Sequence, residues 1–238
     1  SGRRINAYKS VLALGVTDFS GPTVTGLSND STPKKRKTFT WSSDNPSTDQ
    51  YRFSIDQSVS GVPSGTYGTE VTTTYSSGSG TFYIHVQARS QTEVEGEVAT
   101  ASFVLDNNGP VVSLGDNSTN IFALDFGETI YSNVGETLGS DLASRFGGSS
   151  QIGISQVSYD GSETITVGVS GIPLAGSFVN LLSGTDNAFY DYLGNIGSTF
   201  RVYSTGSGWQ LNPSTLNVGV TYLPDLLTTG ILSLGGSS

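Results

Sequence analysis

The phrase Asp18-Phe19-Ser20-Gly21-Pro22-Thr23-Val24 returns as Asp106-Asn107-Asn108-Gly109-Pro110-Val111-Val112, 88 residues further on. Both copies read Asp-x-x-Gly-Pro-x-Val. Proline lacks the N–H that a β-ladder needs and fixes its own φ, so Gly-Pro stops a strand. The interval is close to one β-sandwich domain of roughly 100 residues. A strand-stopper repeated at that interval, each time just before an extended apolar segment, predicts domain junctions in a tandem array.

Between the junctions the apolar residues alternate. Phe39 and Trp41 share one face, with Thr38, Thr40 and Ser42 on the other. Tyr51, Phe53 and Ile55 alternate with Arg52 and Ser54, and Phe82, Ile84, Val86 and Ala88 with Tyr83, His85 and Gln87. A period of two means one packed and one wet face, as in antiparallel sandwiches. With 31 glycines and only 13% charged residues, the chain suits short strands joined by tight turns. The class is all-β. The predicted organisation is a lead-in strand or linker over 1–21, one sandwich over 22–110, a second over 111–205, and a Gly/Ser-rich but partly apolar tail over 206–238. That tail adds strands or begins a further domain.

In the second half, strands are expected at Phe122–Phe126, Gln156–Tyr159, Thr164–Val169, Ser177–Leu182 and Thr199–Tyr203. The stretch Thr137–Phe146 reads differently, as a short helix capped by Ser140 that turns Leu142 and Phe146 toward the core.

The chain has no cysteine and no methionine. The first absence excludes disulfides, zinc-thiolate sites and thiol catalysis. The second reads as a piece of a longer reading frame or a processed product. No apolar run approaches the ~20 residues that span a bilayer; Val11–Val16 reads as a buried strand. The net charge of −9 is unevenly spread: residues 1–110 hold nine basic and ten acidic residues, residues 111–238 two (Arg145 and Arg201) and ten. So acidic a body argues against nucleic acid as partner.

The segments Val24–Pro33, Lys37–Trp41, Tyr51–Asp56 and Tyr83–Ala88 resemble the bacterial immunoglobulin-like repeats of large secreted or surface-anchored proteins. In those repeats a Gly-Pro phrase opens each unit and an aromatic strand follows. The second half is similar to another bacterial Ig-like type from the same arrays, in which a Phe-x-Glu phrase (Phe126-Gly127-Glu128) partners a late Asp-x-x-Gly-Asn phrase (Asp191-Tyr192-Leu193-Gly194-Asn195). The resemblance covers about residues 17–205 and implies two tandem Ig-like antiparallel β-sandwiches. It departs in the first half, where Ser90-Gln91-Thr92-Glu93-Val94-Glu95-Gly96 stands in place of the Asp-x-x-Gly-Asn phrase.

The resemblance further implies a non-enzymatic segment of a bacterial cell-surface or secreted adhesin or fibre. Its partner would be a glycan or protein on another cell. Two alternatives stay open: a carbohydrate-recognition or accessory module of a larger secreted protein, and a self-assembling fibre component such as a trimer.

Catalysis would have to use the single histidine, His85, which the alternation places on the outer, solvent-facing side of its strand; no Gly-x-Ser-x-Gly elbow accompanies it. Glu93, Glu95 and Glu97 read as an edge-solvating set. The basic run Lys34, Lys35, Arg36 and Lys37 is a candidate contact for an anionic glycan or lipopolysaccharide, or a solvated turn. Calcium is the candidate cofactor, with Asp106, Asn107 and Asn108 at the junction and Asp191 as oxygen donors. The competing reading is a set of Asx-turns. Trp41 is expected in the core; Trp209 is open between core and sugar platform.

Overall fold

The computed structural model describes residues 21–212, apart from Asn45, Ser47 and Thr48. The lead-in strand expected before Gly21 and the tail beyond Asn212 lie outside the described residues. The chain divides between Asn107 and Asn108 into two compact units.

The first unit is built from β1 (Val24–Thr25), β2 (Asp30–Lys34), β3 (Lys37–Thr40), β4 (Ser42–Ser43), β5 (Gln50–Asp56), β6 (Thr72–Tyr75), β7 (Gly80–Arg89) and β8 (Glu95–Leu105). One layer has the order β2-β8-β7-β5. Its pairs are antiparallel except β2 with β8, which run parallel. The facing layer is formed by β3 with β6 and β1 with β4. Trp41, between β3 and β4, carries the pairing on by donating its N–H to Val71 O at 3.0 Å. Pro33 sits in β2, an edge strand, where its missing donor disrupts no inner ladder.

The alternating residues meet between the layers. Phe39 and Trp41 pack against Tyr51, Phe82, Ile84, Val86, Ala88, Ala101, Phe103 and Leu105, all buried. Phe103 is central, edge-on to Phe39 at 4.8 Å and stacked on Phe82 at 5.7 Å. Trp41 is a core residue.

On one point the alternation misleads. His85 does lie on the outer face of β7, yet it is 0% exposed, and Gln87 beside it is buried as well. The connection between β5 and β6, residues 57–71, folds back over that face. Its Ser58 carbonyl meets His85 Nε2 at 3.0 Å, and Gly68 pairs with Tyr51 at the β5 edge. Period two identifies the side of a sheet, and a long loop decides whether that side stays wet.

The second unit contains β9 (Ser113–Ser118), β10 (Ile121–Asp125), β11 (Phe146–Gly148), β12 (Ile152–Tyr159), β13 (Thr164–Gly171), β14 (Phe178–Leu181), β15 (Arg201–Ser204) and β16 (Trp209–Leu211). Its layers are β12-β13-β10-β9 and β11-β14-β15-β16, antiparallel throughout. Phe122, Leu124, Ile165, Val167, Val179 and Val202 are fully buried between them.

The helix expected over Thr137–Phe146 shrinks to one 3-10 turn, Leu142–Arg145, preceded by Asp141 and without a side-chain cap. Leu142 and Phe146 are nonetheless both buried. Trp209 is 4% exposed, lies 4.9 Å from the Phe122 ring and donates its indole N–H to Thr119 O at 3.2 Å. It is part of the core, so the second sandwich runs on past Thr205. The fold is all-β, two tandem Ig-like β-sandwiches.

Each unit closes on its own Gly-Pro in the same way. In the first, Gly21-Pro22 presses backbone to backbone against Glu95-Gly96. A β-carbon on Gly21 would overlap Glu95 O, and one on Gly96 would overlap Pro22 O. In the second, Gly109-Pro110 presses against Ile196-Gly197: a β-carbon on Gly109 would overlap Ile196 O, and one on Gly197 would come within 3.0 Å of Pro110 O. Both prolines are buried. Absence of a side chain on both partners is what permits the approach.

Candidate functional site

The segment that receives each Gly-Pro is shaped by a turn, and the two turns are alike. Asp191 N–H donates to Asn195 O at 3.1 Å, Gly194 N–H to Asp191 O at 3.1 Å, and Asn195 N–H to Asp191 Oδ1 at 2.7 Å. In the first unit Ser90 N–H donates to Val94 O at 3.0 Å, Glu93 N–H to Ser90 O at 3.0 Å, and Val94 N–H to Ser90 Oγ at 3.2 Å. The fourth residue is left-handed in both, φ 63° at Glu93 and 79° at Gly194. The flanking pairs also correspond, Arg89 with Glu95 and Tyr190 with Ile196. Two residues past each turn comes the pressed glycine. The sequence departure at Ser90–Gly96 thus leaves the conformation unchanged.

This geometry bears on the oxygen-rich residues. Asp191 is buried at 2% exposure, and both its oxygens accept from Asn195, Oδ1 from the backbone and Oδ2 from Nδ2 at 2.7 Å. Its carboxylate does the work that an uncharged hydroxyl does at Ser90. Asn107 closes the first unit: its N–H donates to Ser79 Oγ at 2.8 Å and its side-chain amide to Gly78 O at 2.7 Å. Asp106 N–H donates to Lys34 O at 3.0 Å. Asp106 and Asn107 belong to the first unit, Asn108 and Asp191 to the second. Among the described residues, no three His, Cys, Asp or Glu side chains are grouped to hold a metal ion.

The basic run occupies the end of β2, a two-residue turn and the start of β3. Asp30 Oδ2 accepts from Lys34 Nζ and Lys37 Nζ, both at 2.5 Å. These two ammonium groups hold the Asp30 carboxyl well below the usual carboxylate range. One carboxylate therefore draws two of the four cations inward, and Lys37 also lies 5.8 Å from the Phe39 ring centroid. Lys35 and Arg36 stand exposed at the turn.

A cluster that the sequence did not announce covers the outer face of β5-β7-β8. The Tyr67 ring lies between two guanidinium groups, Arg52 at 4.7 Å and Arg89 at 4.3 Å. Gln87 Oε1 accepts from Arg52 Nε and Nη2 at 3.0 and 2.7 Å, and from the Tyr67 hydroxyl at 3.3 Å. Gln87 Nε2 donates to Gly96 O at 2.8 Å, tying the cluster to the pressed glycine. Burial, then the Glu95 carboxylate as hydrogen-bond partner, pushes the Tyr67 hydroxyl pKa up. Such a group stays protonated and donates. The sequence hint was the alternation that placed Arg52 and Gln87 on the outward side of their strands; the tyrosine arrives from a loop.

His85 is held at both ring nitrogens, Nδ1 with Thr100 Oγ1 at 2.9 Å and Nε2 with the Ser58 carbonyl at 3.0 Å. Asp56 Oδ1 lies 3.5 Å from Nε2. With neutral imidazole, Nε2–H donates to the carbonyl and Nδ1 accepts from the hydroxyl. The ring fastens the loop to the sheet.

No protein-family model matches the chain, and no curated protein does. Among solved structures the chain is similar to the crystal structure of chicken CNTN1 FN1-FN3 domains, at 11% identity and a TM-score of 0.28. The match covers 78% of this chain and 66% of that one, just under two thirds of its length. So low a TM-score carries no argument about activity or partners. Among the described residues, no helix is long and apolar enough to cross a membrane.

Proposed function

We propose that the chain is a non-enzymatic segment of a bacterial cell-surface or secreted adhesin, in which tandem sandwiches hold contact loops away from the cell. The observation that carries this reading is the repeated closure, Gly21-Pro22 on Gly96 and Gly109-Pro110 on Gly197. A chain that starts each sandwich by the same backbone-to-backbone contact, behind the same turn, is built by repetition. Each closed β-unit is a spacer in its own right, and loops at unit surfaces carry recognition. In this reading Asp191 shapes its turn, and Asn107 fastens the end of the first unit to Gly78 and Ser79. The exposed corner Lys35-Arg36, backed by Lys34 and Lys37, offers positive charge to an anionic cell surface.

Bead attachment tests the reading. Beads coated with the protein should attach saturably to bacterial or animal cells, and Lys35→Ala with Arg36→Ala should weaken attachment. Coated beads that attach no better than bare ones would overturn the adhesin assignment.

A further inference from the structure

We infer that the second sandwich pairs with a second copy of this chain along the edge of β12, antiparallel about a two-fold axis at Ser158. An edge strand presents unpaired N–H and C=O groups and templates another strand unless it is short, charged, interrupted by proline or covered. The other edges of the described residues have such a defence. β2 holds Asp30, Pro33 and Lys34. β5 is closed by Gly68, whose N–H donates to Tyr51 O at 2.8 Å and whose O accepts from Tyr51 N–H at 2.7 Å. β9 carries Asp116, and its Asn117 Oδ1 accepts from Trp209 N–H at 3.0 Å. β11 and β16 have three residues each, and β1, β3, β4 and β6 no more than four. β12 is the longest edge strand described, eight residues reading Ile-Gly-Ile-Ser-Gln-Val-Ser-Tyr, with neither charge nor proline.

The hydrogen bonds of the hairpin show which residues face outward. Asp160 N–H donates to Thr164 O at 3.1 Å, and bonding alternates along an antiparallel pair. Ser158 opposite Thr166 and Gln156 opposite Gly168 therefore bond to β13, while the backbone of Val157 and Tyr159 faces away. Val169 agrees from the other side of β13, since its N–H donates to Asn120 O at 2.9 Å, away from β12. Among the described residues no backbone group meets the outer N–H and C=O of Val157 and Tyr159. The register shifts at Ser155, and such a bulge bends its strand, so the regular run open to a partner is Gln156–Tyr159.

An antiparallel edge is its own complement. Turned through a two-fold axis, it offers N–H to C=O at the same spacing. With Ser158 on the axis, Val157 pairs with the partner's Tyr159 and Tyr159 with the partner's Val157, so both outward residues of each copy are satisfied. An axis at Val157 would instead set Tyr159 against the bulge. A two-fold also brings like side chains together, and here they are uncharged, with a β-branched residue opposite an aromatic one. Lysine, the usual guard of an exposed edge, is absent from residue 111 onward.

Pairing along β12 is independent of what the loops contact, and so is its test. The full chain is followed by analytical ultracentrifugation from micromolar to millimolar concentration. A reversible dimer should form. Gln156→Lys with Ser158→Lys, which sets like charges across the axis, should weaken it roughly tenfold or more at an unchanged melting temperature. The chain has no cysteine, so one introduced thiol reports on its own neighbour. Directly opposed residues of a non-hydrogen-bonded pair have Cα atoms about 4.5 Å apart, within disulfide reach. Oxidised Ser158→Cys should therefore become a covalent dimer, and Ser118→Cys on the β9 edge should stay monomeric. A natural chain that is monomeric throughout, a dimer unmoved by the lysines, or Ser158→Cys cross-linking no better than Ser118→Cys would overturn the pairing.

Discussion

Ser90 and Asp191 occupy the same position in two copies of one turn, each accepting a hydrogen bond from the backbone N–H four residues on. A hydroxyl does in the first sandwich what a carboxylate does in the second. The feature they share is a geometric one, six residues from the turn's first position to the glycine that receives Gly-Pro. The role of Asp191 follows from that equivalence: it shapes the backbone.

Asp191→Ser should therefore be mild and Asp191→Ala costly. The alanine leaves the Asn195 amide without its acceptor in a buried site, a loss of about 1–3 kcal/mol in denaturant unfolding. The serine restores one acceptor and should recover part of it. Melting curves in chelator and in millimolar calcium should coincide for the natural chain, since both Asp191 oxygens already have partners. A calcium-dependent rise in melting temperature that Asp191→Ala removes would contradict the turn-forming role.

Trp209→Ala should destabilise the second sandwich by about 3–5 kcal/mol, the usual range for deleting a buried aromatic ring. Chemical denaturation monitored separately for residues 108–212 reads the effect. Trp209→Phe keeps most of the contact with Phe122 and should lose less; a loss equal to that of alanine would place the effect in the indole bond to Thr119.

Tyr67→Ala should loosen the loop over β7 and let water reach His85. The ring fills the space between Arg52 and Arg89 and hydrogen-bonds Gln87. Hydrogen exchange at the His85 and Gln87 amides should accelerate while exchange in β3 stays unchanged. Uniform acceleration across the first unit would mean global destabilisation instead.

Acid should weaken the corner at Asp30. Its carboxyl titrates below the usual range because Lys34 and Lys37 hold it ionised. The stabilisation is thus fully present above the unfolded pKa of about 3.9 and disappears as pH falls through the lower folded value. Asp30→Asn should lower the melting temperature at neutral pH, and the gap to the natural chain should narrow toward strong acid. A gap independent of pH would show that the pairs contribute no net charge stabilisation.

Much of the fold was legible because core strands leave a simple mark. Phe39 with Trp41, and Phe82 through Ala88, alternate without interruption, and both runs lie in the core. Among the strands that were not anticipated, Ser113–Ser118, Phe146–Gly148 and Trp209–Leu211 are short or rich in small polar residues, so period two has too little to act on; Glu95–Leu105 is long, but small residues hold much of its buried face, at Gly96 and Ala101. The parallel β2–β8 pair was equally silent, since pairing direction leaves no pattern in a five-residue strand holding a proline. His85 read as exposed because alternation reports only on the sheet, and the covering loop 57–71 comes from elsewhere in the chain.

The most direct test of repeated closure is differential scanning calorimetry on the natural chain, Gly96→Ala and Gly109→Ala. Each added methyl group collides with backbone that cannot swing aside, at a cost of about 3 kcal/mol, the upper end of ordinary overpacking. The natural chain should unfold in two transitions. Gly96→Ala should lower one and spare the other, and Gly109→Ala should do the reverse. A single transition for the natural chain, or both transitions moving in either variant, would contradict two separately closed sandwiches.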